Sequence, residues 1–444
     1  MSLAGLLSDP NRTQREKLEI LRSTWRGELE RLDDAALYDA LRSIDKAITS
    51  KKLRAELLLL IAELRRDGAA GSAPLPKRAV EANPSAGAGP ATGSATASAS
   101  ARSEIRNTEL DTRLAAAPRD YQTWQVYRDW LESRGLTHEG KLPLGRLAEC
   151  DDMLSEVEWR HGFIRRARLR YTFARFNGQR PPLALALPLA WLLDEPGPGR
   201  LIESLTIGLA RHDENHYGEV CATIGARLRP CLAELAIGDF DYEECELNWS
   251  TLGDAAPLWP ALPNLRSLWL RAGSMVTLGD IVLPELRRFE TVTGGLSDAA
   301  LRSIAAATWP KLERLHLQIG RVDEGAASDV ELVAPILAGT GLPALVELGL
   351  TNCEFTDELC ERLVGAPIVR QLRRLDLSMG TMGIEGARVL AEHPQAFAHL
   401  EQIVVDDNYL PDAARGLLAP FGPALVFGSQ RAEGDWGRYA SAIE

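Results

Sequence analysis

Residues able to do chemistry are few in this sequence and poorly placed for it. His212 and His216 stand four apart in Arg211-His-Asp-Glu-Asn-His216, but no His-Glu-x-x-His phrase occurs, and a polar loop explains the segment better. His161, His316, His393 and His399 are scattered. The cysteines at 150, 221, 231, 245, 353 and 360 form no Cys-x-x-Cys pair, so buried, reduced thiols are expected rather than a zinc site or a disulfide framework. Asp239-Phe-Asp-Tyr-Glu-Glu-Cys-Glu246 is dense in carboxylates but lacks the spaced ligands and central glycine of a calcium loop. The glycines at 294, 295, 339 and 341 lack the Lys-Ser or Lys-Thr of a phosphate loop. These patterns predict no catalytic residue, no metal, no cofactor and no enzyme activity.

A second chemistry, recognition of phosphates, is open to Arg160-His-Gly-Phe-Ile-Arg-Arg-Ala-Arg-Leu-Arg-Tyr-Thr-Phe-Ala-Arg175-Phe176, the one basic run interleaved with aromatics. Read as a helix, it places Phe163, Ala167, Arg170, Tyr171 and Ala174 on one side and Arg165, Arg168 and Arg175 elsewhere. A solvated face, or docking on an acidic neighbour, is the plainer expectation. The alternative function is a nucleic-acid-associated regulator using a basic helix at 160–175. Charge argues against nucleic acid on the remainder: the 444-residue chain carries a net charge of −12, and residues 181–444 hold 20 basic and 37 acidic side chains. Such a surface repels phosphate backbones.

The third chemistry is that of a binding surface, and it depends on a recurring phrase. Leu265-Arg-Ser-Leu268-Trp-Leu270, Leu312-Glu-Arg-Leu315-His-Leu317, Leu345-Val-Glu-Leu348-Gly-Leu350 and Leu372-Arg-Arg-Leu375-Asp-Leu377 are its clearest copies; weaker ones begin at Leu201, Leu232, Leu286 and Leu400. First leucines recur every 21 to 33 residues, a period of stacked units. The last four residues of each phrase alternate exposed and apolar, as in a strand with one buried face. The outward positions are Ser204 and Thr206, Glu234 and Ala236, Ser267 and Trp269, Arg288 and Glu290, Arg314 and His316, Glu347 and Gly349, Arg374 and Asp376, Gln402 and Val404. Among them Trp269, Arg288, Glu290, Arg314, His316, Glu347, Arg374 and Asp376 are expected to hold a partner, because aromatic and Arg side chains anchor protein interfaces.

Parallel strands need returns of a dozen or more residues, and several gaps read as helices. Ser297 and Thr356 are good N-caps for two of them. Pro230, Pro263, Pro284, Pro310 and Pro343 each stand two residues ahead of a phrase, ending one helix and starting an extended segment. Leu183 to Leu193 is expected to cap the first end of the array; Leu425-Val-Phe427 and Trp436-Gly-Arg-Tyr439 are expected to cap the last.

The phrase resembles the leucine-rich repeat family. That resemblance implies an α/β solenoid: a curved parallel sheet with a helical convex side, whose concave face binds proteins. In the family a Cys or Asn eight residues after the first leucine turns inward to bond loop backbone; Cys353 and Asn408 fall there, with Gly273, Gly294, Gly320 and Gly380 in other copies. Upstream, Pro118-Arg-Asp120 and Val126-Tyr127-Arg-Asp129-Trp130-Leu131-Glu132-Ser-Arg134-Gly135 resemble the bacterial repeat-companion domain, a helical module that precedes such repeats. The helix should bury Val126, Tyr127, Trp130 and Leu131, use Asp129 as a buried or capping carboxylate, and stop at Gly135.

The domains expected are all-α helices in 1–67, an Ala/Gly/Ser/Pro-rich flexible linker at 68–103, the companion module at 104–180 and the repeat domain at 181–444. The first of these is a small bundle or a self-association element. No basic leader or long apolar run is found, so a cytoplasmic scaffold without membrane contact is expected, binding a protein partner and not nucleic acid.

Overall fold

The computed structural model describes residues 106–440 apart from 177, 182, 195, 212–214 and 435–436. The helices expected in 1–67, the linker at 68–103, His212 and Trp436 lie outside the described residues. All the described residues belong to one compact unit, Thr92–Glu444.

Eleven strands form its main sheet, in sequence order: β1 (Leu154–Arg160), β2 (Phe163–Leu169), β3 (Ser204–Ile207), β4 (Glu234–Ile237), β5 (Ser267–Arg271), β6 (Arg288–Val292), β7 (Arg314–Gln318), β8 (Glu347–Thr351), β9 (Arg374–Asp376), β10 (Gln402–Val404) and β11 (Leu425–Val426). β1 and β2 are antiparallel; every later neighbour is parallel. The result is a mixed α/β fold with a long, mostly parallel sheet that does not close into a barrel, compatible with an α/β solenoid. A second ladder of two-residue strands, Asn215–His216, Ser250–Thr251, Ser274–Met275 and Gly295–Leu296, runs parallel as well.

Strands β3 to β10 are the eight phrases. Leu268, Phe289, Leu315, Leu348, Leu375 and Ile403 are aligned across neighbouring strands and buried. Burying each such side chain contributes about 1.5–3 kcal/mol, and alignment keeps every one of them on the same side. β4, β5, β6, β7 and β8 each begin four residues after a proline, where the fixed φ has already ended the preceding turn.

The α-helices of eight or more described residues are α1 (Thr108–Ala116), α2 (Tyr121–Ser133), α3 (Ala186–Leu193), α4 (Gly218–Gly225), α5 (Asp298–Ala306), α6 (Thr356–Val364) and α7 (Ile384–Glu392). α3 to α7 share one hydrophobic core with the inward face of the sheet. Ser297 caps α5 by accepting from the Ala300 amide. Thr356 does not cap α6. It is the first helical residue, fully buried, and its hydroxyl donates to the Cys353 carbonyl (2.8 Å) and accepts from the Thr381 amide (3.0 Å), so it ties two loops together instead.

Asn408 is likewise fully buried. Its amide donates to the carbonyls of Leu377 (2.8 Å), Val405 (3.1 Å) and Asp406 (3.2 Å), and its oxygen accepts from the Met382 amide (3.0 Å). Where the equivalent residue is Gly320, φ is +98° and a Cβ would lie 1.9 Å from the Gly294 carbonyl oxygen, so only glycine fits.

Several expectations for residues 106–193 need correction. The basic run at 160–175 is not one helix: it is the end of β1, a turn with positive φ at His161 and Gly162, β2, and then the start of a four-residue helical turn at Phe173–Phe176. From Arg166 onward its side chains alternate outward and inward, the period of a strand, and Ala167 and Leu169 pair with Leu205 and Ile207. The main sheet therefore continues across residue 180, and α3, expected as the end cap, lies inside the array while the β1–β2 hairpin forms the edge. In α2, Val126 is 51% exposed and Trp124 only 4%, because the face meeting Phe163 runs through Trp124, Tyr127 and Leu131. Asp129 is exposed and pairs with Arg128; the capping carboxylate is Asp120, and Gly135 has the left-handed φ of a stop.

All six cysteines are free and buried. Burial pushes the Cys231 and Cys353 thiols up to about 11 from 9.0. A folded-state pKa raised in this way leaves stability intact below pH 9 and erodes it as pH rises from 9 towards 11. The urea midpoint should fall across that window, and the native thiols should stay unreactive to a disulfide reagent at about pH 8 until urea unfolds the chain. Replacing Asn408 by Ala strands the buried Met382 amide and Leu377 carbonyl, while the Val405 and Asp406 carbonyls keep Gln430 and the Met379 amide; a loss of about 3 kcal/mol in urea unfolding, with unchanged slope, is the expected outcome.

Candidate functional site

The outward positions become two rows because parallel register aligns them. Ser267, Arg288, Arg314, Glu347, Arg374 and Gln402 are mutual neighbours in the first row; Trp269, Glu290, His316, Gly349, Asp376 and Val404 form the second. Between β6 and β9 the rows enclose a shallow depression of about 190 Å³, lined by Arg288, Glu290, Arg314, His316, Glu347, Gly349, Arg374 and Asp376. Trp269, the remaining residue expected at the site, lies one strand away beside Glu290, half-buried.

Charge pairing links the residues of the floor to one another. Arg314 Nε meets the Glu347 carboxylate at 2.9 Å, across neighbouring strands. Arg374 reaches Asp376 at 2.9 Å and also donates to the Gln402 side-chain oxygen. Asp376, only 6% exposed, accepts in addition from the amide (3.1 Å) and hydroxyl (2.6 Å) of Ser378. The exposed Arg314–Glu347 pair contributes about 0–1 kcal/mol, so its effect is orientation more than stability.

His316 fills the space that Gly349 leaves. A Cβ on residue 349 would lie 2.7 Å from the imidazole, and Nε2 of that ring shares a 3.1 Å hydrogen bond with the Thr351 hydroxyl. Thr351 escapes sequence reasoning because β8 continues one residue past the phrase, which carries no mark of where a strand stops.

The basic run does not supply a free cationic surface. Arg165 donates to the Leu201 carbonyl, pairs with Glu203 at 3.2 Å and stacks 3.8 Å over Trp124. Arg166 lies 3.7 Å from Glu234, Arg168 pairs with Asp239, Arg170 with Glu244 and Arg175 with Asp152. The acidic stretch from Asp239 therefore serves as counter-charge to β2 and its following residues. Arg166 and Arg168 also extend the outward rows, opposite Ser204 and Thr206, an extension hidden from the sequence because no leucine phrase announces β2.

Behind the sheet edge, Tyr127 joins the helical module to the array. Its hydroxyl donates to Asp111 (2.7 Å) and accepts from Arg200 (2.7 Å), and burial pushes the phenol up to about 12. Among the described residues no group of His, Cys, Asp and Glu is arranged to hold a metal ion, and no helix is long and apolar enough to cross a membrane. His216 is exposed and bonds the Gly218 amide locally.

No family model matches this chain, and no curated protein matches it. Among solved structures it is similar to a protein from Bacteroides fragilis, with 24% identity and a TM-score of 0.52 over 61% of this chain and 76% of that one. That likeness is one of fold alone. A chain of the TLR13–ssRNA13 complex aligns at 12% identity and a TM-score of 0.29, over 52% of this chain and 33% of that one.

Gly349→Ala should force the His316 ring out of its place and break its bond to Thr351. The expected cost is about 1–3 kcal/mol in thermal unfolding, with a shifted His316 ring-proton resonance in the folded protein.

Proposed function

We propose that this chain is a leucine-rich-repeat interaction protein, not an enzyme, which holds a protein partner against the outward rows of its main sheet while the companion-like helices α1 and α2 brace one end. The observation that carries this reading is the convergence of Arg288, Glu290, Arg314, His316, Glu347, Arg374 and Asp376, drawn from four successive strands, on one shallow polar depression with Trp269 at its side. Aromatic and arginine anchors on a preorganised surface lower the entropy cost of association. A binding role is also favoured over a reacting one by how the groups are committed: Glu347 and Asp376 are each paired with an arginine, and His316 is tied to Thr351.

Affinity capture from the native lysate, comparing the intact chain with one carrying Trp269→Ala and Arg314→Glu, tests the reading. At least one prey should be lost from the variant while its unfolding midpoint stays within a few degrees of the parent. Equal recovery of every prey would remove the sheet face as the site.

A further inference from the structure

Building on that reading of the sheet face, we infer that the partner presents an acidic side chain, which is received between Arg288 and Arg314. In the first row these two arginines are direct cross-strand neighbours. Adjacent strands lie about 4.8 Å apart, and like charges set directly opposite destabilise a sheet. The other cations of the depression are neutralised by their neighbours: Arg314 by Glu347, Arg374 by Asp376. Arg288 has Ser267 on one side and Arg314 on the other, is exposed, and makes no ion pair with any described residue. Arg314 meets Glu347 through Nε, and Arg288 stands beside it with no acidic cross-strand neighbour of its own.

A carboxylate from outside would convert this repulsive pair into a bridged one. The Arg288 guanidinium offers it paired N–H donors, the geometry that arginine brings to carboxylate recognition, with the charge of Arg314 beside it. Several features favour a carboxylate of a protein over a polyanion. Glu290 and Glu347 flank the arginine pair within the same depression, and residues 181–444 carry 37 acidic against 20 basic side chains, so an extended phosphate chain would be repelled along most of its length. A single acidic residue meets the local cations first. Trp269, beside Glu290 in the second row, gives the residue next to that acid an apolar surface.

The test uses the full chain and capped synthetic peptide libraries whose central position is Glu, Gln or Lys, with a single-stranded oligonucleotide as a further probe. The Glu library should be retained about tenfold more strongly than the Gln library at low salt, and Arg288→Ser should abolish that preference. The same substitution should leave the unfolding midpoint unchanged or raise it, since it relieves the like-charge contact. Retention without a Glu preference, lost in Trp269→Ala, would overturn this inference and leave the sheet-face reading standing. Failure of every peptide to bind would overturn both. Oligonucleotide retention lost in Arg288→Ser, or a lowered midpoint in that variant, would also overturn it: the first assigns the pair to phosphate, the second to a structural role.

Discussion

No single copy of the aliphatic phrase can bury its own leucines; each must lie beside the next, in register, or leave an apolar stripe in water. That constraint governs the molecule. Because strand side chains alternate with a period of two, a slip of one residue would turn Leu315 outward and His316 inward, and every neighbour with them. The aligned column from Leu205 to Ile403 is thus both the core and the device that holds eight strands in step.

Register alone leaves the returns between strands to be closed, and the chain closes them by several local means. Asn408 and Thr356 spend their buried polar groups on loop backbone; Gly320 removes its side chain so that two backbones can touch. Each answers the same demand, that a buried peptide group find a partner or be covered without strain. The free edge is handled differently. The antiparallel hairpin of β1 and β2 extends the sheet with arginines whose counter-charges come from the neighbouring acidic loop, and α2 places Trp124 over Arg165 behind it. Charged, locally paired residues at a sheet edge discourage pairing with another chain.

The outward face follows from the same register without being required by it. Packing dictates the inward residues, while the outward ones are free to carry charge in any order that folding tolerates. Most of the order found here is neutralising, Arg314 against Glu347 and Arg374 against Asp376. Arg288 opposite Arg314 is the departure. A local arrangement that opposes stability, set in an otherwise consistent frame, is where a binding requirement would leave its trace.

Much of the fold was legible in the sequence: the eight phrases, their inward and outward residues, the prolines before five strands and Ser297 as a cap all follow from periodicity or turn chemistry, which act over a few residues, while Asn408 as an inward amide was what the family resemblance implied. The residues expected at the site were legible for the same reason, as every other position of a strand. What the sequence could not decide was which of two periods ruled where both were available. Residues 160–175 suit a helix as well as a hairpin until β3 offers β2 its backbone, and α2 buries Trp124 rather than Val126 only because Phe163 arrives on that side. Thr356 became a loop tie and Thr351 an anchor for His316 for similar causes. Sequence determined the repeating unit because its forces are local; tertiary structure decided the edge, the depression and the uncompensated Arg288, because each depends on which residue a neighbouring strand sets opposite.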